Sequence, residues 1–248
     1  MNLLEYTDRK PDKKTDKKEE TWNNAFESGS YNLASPDDYV SNFVKTLPDG
    51  KTALDLGCGL GRHIPVLRNK FGLTIGIDIS DKAILSSRNI ISHSSSNSSF
   101  HSSSYSSVAS LVKGNMLTVP FRDNSFDLIL AWRVIHIGKS SECRQTIDEL
   151  YRLIKPGGKL LASIRSAKNT LCHLGERNGE KLEERTFRLN EEGIAGAVYH
   201  FFDEKDVTDY FSRFKINLLK ETELEHTSYT ESATEFKNMF FIIEAEKK

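Results

Sequence analysis

The chain has 248 residues, of which 38% are hydrophobic and 28% charged, with a formal net charge of −1. That size and balance suit one large globular domain with a sizeable core and supply no global basic excess for gripping a nucleic-acid backbone. Three scattered cysteines without a CxxC pair argue against a disulfide framework or a zinc site, and no apolar run reaches the length of a signal or membrane-spanning segment, so a reduced cytoplasmic setting is expected.

Residues 7–20 (TDRKPDKKTDKKEE) mix both charge signs almost without apolar residues. Such a stretch cannot offset its ordering entropy by burial. A flexible charged tail over residues 1–20 is expected, followed by a single domain over 21–248. Residues 37–47 (DDYVSNFVKTL) place Tyr39, Val40, Phe43, Val44 and Leu47 at helical spacing, with Ser35 as the expected N-cap and Pro36 at the first helical position. Pro48-Asp49-Gly50 is a turn signal.

An alternation then begins. Residues 52–56 (TALDL) read as a strand and 62–70 as a helix whose start is restricted by Pro65. Residues 73–79 (LTIGIDI) read as a second strand and 81–91 as a second helix capped by Ser80. Residues 92–110 are dominated by serine and read as a solvent-exposed insertion, with His93 and His101 forming no convincing metal site. Strands follow at 111–113, 126–132 (FDLILAW) and 159–164 (KLLASI), the last preceded by a helix at 141–153 and a Pro156-Gly157-Gly158 turn. Residues 165–196 are polar and give no clear assignment. A helix over 204–214 with Asp203 as N-cap, and two late strands at 216–225 and 238–246, complete the chain; the last two are expected to pair antiparallel. Strands that are apolar on both faces and alternate with helices predict a mainly parallel α/β sheet covered on both sides.

The stretch LDLGCGLGRH, residues 54–63, is a strand, a glycine turn and a helix start. That turn falls at the carboxyl edge of a parallel sheet, where α/β proteins bind ligands. A P-loop pattern is absent, and a dinucleotide GxGxxG would need glycine where Arg62 stands. A nucleoside ligand with an amino-acid tail instead of a pyrophosphate suits the turn better. Asp55 can attract an ammonium, since a buried carboxylate without a partner is costly. Asp78, at the tip of the next strand, can accept hydrogen bonds from ribose hydroxyls.

LDLGCGLG, IGIDIS, GNMLTVPFRDNSFDLILAWRVIHI and LIKPGGKLLASI, in this order, resemble the successive motifs of class I S-adenosylmethionine-dependent methyltransferases, most closely the methyltransferase type 11 branch. The resemblance runs over residues 52–164, and HFFDEKDVTDYF is also family-like. It implies a Rossmann-like, doubly wound, mainly parallel seven-stranded sheet with an antiparallel last strand. It places Asp55, Gly57, Gly59 and Gly61 around the methionine moiety, Asp78 on the ribose and Ile79 against the adenine. Asn115 and Met116 fall at the adenine edge, Asn115 where many relatives carry Asp. Ala131 and Trp132 border the transferring methyl.

Trp22, His136 and His200 are weaker candidates for contact with substrate. Cys58 reads as a space-filler and Gly157-Gly158 as a turn. No residue stands out as a general base or other catalytic group, and no metal set is evident. A small-molecule methyl acceptor is the expected partner, with nucleic acid disfavoured. The alternatives are a protein or RNA methyltransferase, or a non-catalytic cofactor-binding partner protein.

Overall fold

The computed structural model describes residues 13–29, 35–94, 107–191, 194–224 and 236–248. Seven strands form one sheet: β1 (Gly50–Leu56), β2 (Phe71–Asp78), β3 (Val108–Lys113), β4 (Phe126–Trp132), β5 (Ile154–Arg165), β9 (Phe214–Glu223) and β10 (Met239–Lys247). Their order is β3-β2-β1-β4-β5-β10-β9. The first five are mutually parallel, and β10 runs antiparallel to both β5 and β9. This is the Rossmann-like doubly wound arrangement with an antiparallel last strand. The chain order reverses between β1 and β4, which opens a crevice at their carboxyl ends.

The pleat explains why these strands are apolar throughout. Leu54, Leu56, Ile129 and Ala131 point to a core shared with Ile147 and Leu150 of α5 (Ser140–Leu153). Ala53, Leu128, Leu130 and Trp132 point the other way, to Val40 and Val44 of α2 (Asp38–Thr46) and Leu67 of α3 (Ile64–Arg68). Successive residues thus bury on opposite faces. Helix α4 (Asp81–Ser94) covers β2 and β3, and its start is capped by Ser80 Oγ, which accepts the Ala83 N–H at 3.1 Å. Helix α7 (Glu204–Tyr210) is capped by Asp203 as expected and ends earlier, because 211–213 form a turn before β9.

Several sequence expectations are corrected. The segment expected as a tail contains helix α1 (Lys13–Glu27), so residues 13–20 are helical; residues 1–12 lie outside the described set. Lysine and glutamate are good helix formers, and tertiary contacts hold the helix: Lys18 pairs with Glu142 at 2.7 Å and Glu19 with Lys113 at 2.7 Å. The N-cap of α2 is Asp37, not Ser35, since Asp37 Oδ1 accepts the Tyr39 N–H at 3.0 Å. Of the serine-dominated stretch, 95–106 fall outside the described residues, whereas α4 reaches Ser94 and β3 begins at Val108. His101 is therefore outside them. Pro156, Gly157 and Gly158 lie within β5, with Gly157 at φ +73°.

The unassigned region forms a cap. Helix α6 (Thr170–Asn178) packs on a three-stranded antiparallel sheet of β6 (Glu180–Glu183), β7 (Thr186–Arg188) and β8 (Val198–His200). The cap shares a second core with α1, in which Trp22 and Ala25 meet Leu171, Phe187, Tyr199 and Phe201. Among the described residues no helix is long and apolar enough to cross a membrane.

Candidate functional site

The glycine turn leaves β1 at the carboxyl edge of the sheet. Gly57, Gly59 and Gly61 have φ of +66°, +52° and +80°, a region that only glycine enters cheaply. A Cβ on Gly57 would lie 2.4 Å from Val134 Cγ2, so the turn has no room there for a side chain. The Gly57 and Cys58 N–H groups donate to the Ile77 carbonyl at 2.8 and 3.0 Å, and the Gly59 N–H donates to Asp78 Oδ2 at 2.9 Å. Asp78 Oδ1 accepts the Ser80 N–H at 2.9 Å. Asp78 therefore ties the turn to the tip of β2. Burial raises its pKa, opposed by these N–H donors. Each carboxylate oxygen has a second lone pair, which leaves acceptor capacity for a ligand hydroxyl.

The turn, the tip of β2 and the residues after β3 and β4 bound an open cleft. Gly57, Gly59, Asp78, Ile79, Asn115, Met116 and Trp132 line it, as does Trp22 from α1. Asn115 Oδ1 accepts the Leu117 N–H at 3.0 Å, so its carbonyl closes its own loop. The Trp132 indole N–H donates to Asp37 Oδ2 at 3.1 Å, and its ring stacks on Tyr39 with centroids 5.9 Å apart. That residue serves core and cleft together.

The other candidates stand behind the lining. Asp55 is buried on β1, and its Oδ2 has no hydrogen-bond partner. Burial pushes its pKa up to about 8, Arg62 pulling it down and Asp78 pushing it further up. Gly61 packs on Ser87 and Ile64, and Ala131 belongs to the core under α5. Ala131 is buried in that core and is not among the residues that line the cleft. His136 and His200 are likewise not cleft residues. His136 is buried against Tyr199 and Phe240, with centroids 5.4 and 5.7 Å away, and His200 Nδ1 sits 2.8 Å from Thr186 Oγ1. Burial pulls both imidazole pKa values down. No group of three or more His, Cys, Asp or Glu among the described residues could hold a metal ion.

Among the cleft residues that the sequence did not mark as site candidates are Lys18, Phe26, Arg62, His63 and Arg133. The signal for Arg133 was its place immediately after β4, where α/β sheets present ligand-binding groups. Asp37 was also missed, and it joins the segment after the glycine turn to the end of β4. Its backbone N–H donates to His63 Nε2 at 3.3 Å, and its carboxylate takes the Trp132 indole N–H and lies 3.6 Å from the Arg133 guanidinium.

Residues 54–162 match the family model of the methyltransferase domain. Among curated proteins, the chain is similar to a tRNA (carboxymethyluridine(34)-5-O)-methyltransferase of Arabidopsis thaliana, at 27% identity over 130 residues, which cover 52% of this chain and 28% of that protein. It is also similar to the demethylmenaquinone methyltransferase of Symbiobacterium thermophilum, at 28% identity over 116 residues, covering 45% of this chain and 41% of that protein. The matches thus span less than half the length of either relative. Among solved structures, a SAM-dependent methyltransferase of Methanosarcina mazei superimposes with a TM-score of 0.67 at 25% identity, covering 86% of this chain and 98% of that one. One curated relative is named for a tRNA nucleoside, so the expectation that disfavours nucleic acid finds no support here.

Proposed function

We propose that this chain, whose residues 54–162 form a class I S-adenosylmethionine-dependent methyltransferase domain, transfers a methyl group from S-adenosylmethionine to a small-molecule acceptor. The observation that carries the donor reading is the orphaned carboxylate behind the glycine turn. Asp55 Oδ2 is buried and unpartnered, and the donor's ammonium group supplies the cation it lacks. When bound, the donor supplies an electrophilic methyl on a sulfonium sulfur that leaves as a neutral thioether.

The chain's residues divide the remaining work. The open backbone of Gly57 and Gly59 accepts close approach of the amino-acid tail. Asp78 takes ribose hydroxyls with its spare lone pairs, and Ile79 and Met116 offer apolar surface to the base. Trp22 and Phe26 line the cleft from the α1 side and offer it aromatic surface. Because the leaving group is good, positioning supplies much of the acceleration.

A nucleoside presented by tRNA is the second reading, favoured by the similarity to tRNA methyltransferases. An acceptor screen that reads release of S-adenosylhomocysteine separates the two: turnover with small molecules supports the first, and turnover confined to tRNA supports the second. Donor binding with silence across both would favour a non-catalytic partner protein.

A further inference from the structure

We propose that Asp37 is a positioning residue for methyl transfer: its carboxylate holds Trp132, and with it the cleft wall at the end of β4, in the geometry that receives the donor. This rests on the methyl-donor reading given above and adds to it a residue that does not itself line the cleft.

Asp37 gathers four groups from three parts of the chain. Its Oδ1 accepts the Tyr39 N–H at 3.0 Å and so caps α2. Its Oδ2 accepts the Trp132 indole N–H at 3.1 Å and lies 3.6 Å from Arg133 Nη2. Its backbone N–H donates to His63 Nε2 at 3.3 Å. Two residues earlier, the Ser35 carbonyl accepts Arg62 Nη1 at 3.2 Å, so the approach to α2 is strapped to the chain just after the glycine turn. Trp132, Arg133, Arg62 and His63 all line the cleft. The Asp37 side chain is only 10% exposed, so solvent screens these contacts little.

The same turn of chain grips Trp132 twice. Asp37 takes its single polar group. Tyr39, whose N–H Asp37 accepts, stacks on the indole face with the ring planes 20° apart. The Tyr39 hydroxyl is anchored in turn on β10, donating to Glu244 Oε1 at 2.7 Å. An indole fixed at its edge and its face keeps one orientation in the cleft, which is what reaction by positioning requires.

A helix cap alone does not account for the residue. Asn and Asp cap helices about equally well, and an Asn here could satisfy the Tyr39 N–H. Yet every partner of this side chain is a donor: a backbone N–H on one oxygen, an indole N–H and a guanidinium on the other. An amide offers one acceptor atom and would turn its NH2 group against the cap or against the indole. A carboxylate serves both sides. Capping and positioning therefore predict different results for Asp37→Asn.

The test uses the full chain, in which Trp22 and Trp132 are the two tryptophans. The chain is labelled for heteronuclear NMR, and Trp22→Phe assigns the two indole signals. S-adenosylhomocysteine should shift the Trp132 indole signal of the parent chain. An unmoved signal with the ligand bound overturns the proposal, and this measurement needs no variant at position 37 to fold. In calorimetric titration, Asp37→Asn should bind S-adenosylhomocysteine about tenfold more weakly, as expected for loss of a charge-assisted hydrogen bond, and its Trp132 indole proton should exchange with solvent faster. Trp132→Phe removes the donor that the amide would face, so in that background Asp37→Asn should cost less than about twofold. Equal affinity of the parent and Asp37→Asn assigns Asp37 to capping alone and overturns the positioning role. An undiminished loss in the Trp132→Phe background also overturns it, because Asp37 would then not act through Trp132. Failure of the parent chain to bind S-adenosylhomocysteine overturns the donor reading, and the positioning role with it.

Discussion

At the scale of single residues, Asp55 is the group whose state should change most on ligand binding. Its pKa lies near 8 in the fold against an ordinary value of 3.8. The folded chain therefore holds a proton that the unfolded chain releases between those values. Its contribution to stability is complete below about pH 4 and is lost as pH rises through 8. A ligand ammonium reverses the preference, because it needs the carboxylate ionised. At pH 7 donor binding should release a proton, so the calorimetric heat should change with the ionisation enthalpy of the buffer. Asp55→Asn should remove that buffer dependence, raise the melting temperature of the ligand-free protein near pH 8, and weaken donor affinity. Identical heats in phosphate and Tris for the parent chain would refute this. Asp55 and Asp78 were legible in sequence because each sits at a strand tip beside a glycine turn. Asp37 and Arg133 were not, because their contacts join positions far apart in the chain.

At the scale of elements, the apolar runs that became β1, β2 and β4 were readable because both faces of each strand are buried. The cap was not, since EKLE, TFR and VYH are too short for a two-residue alternation to register. Helix α1 was missed for a different reason. Its charged residues outnumber its apolar ones, and its fit depends on partners elsewhere: Glu142, Lys113, and Lys82, which pairs with Glu27. Asn23 Oδ1 adds an acceptor for the Ser80 hydroxyl at 2.7 Å. Exposed ion pairs contribute roughly 0–1 kcal/mol each, so the buried Trp22 is the stronger anchor. Trp22→Ala should weaken donor binding about tenfold, equivalent to ~1.4 kcal/mol, whereas Trp22→Phe should recover most of it. Equal affinity for all three proteins in calorimetric titration would show that α1 takes no part in the cleft.

At the scale of the molecule, the chain is built as two cores that meet at the cleft. The sheet and its flanking helices form one. Helix α1, α6 and the β6–β8 sheet form the other, and Trp22 lies at once in that second core and in the cleft wall. The first core stands on long strands paired on both sides. The second joins the first element of the chain to its least regular region, so removing α1 strips Trp22 and Ala25 from beneath the cap. The two cores should then part in stability, because opening free energies follow local burial. In a chain lacking residues 1–29, backbone amides of α6, β7 and β8 should exchange with deuterium markedly faster than in the full chain. Those of β1, β4 and β5 should keep their protection, since every strand partner they have remains. Donor affinity should fall together with cap protection, because both depend on Trp22. A uniform rise in exchange across sheet and cap would mean that the molecule opens as one unit, and unchanged exchange in the cap would mean that α1 does not support it.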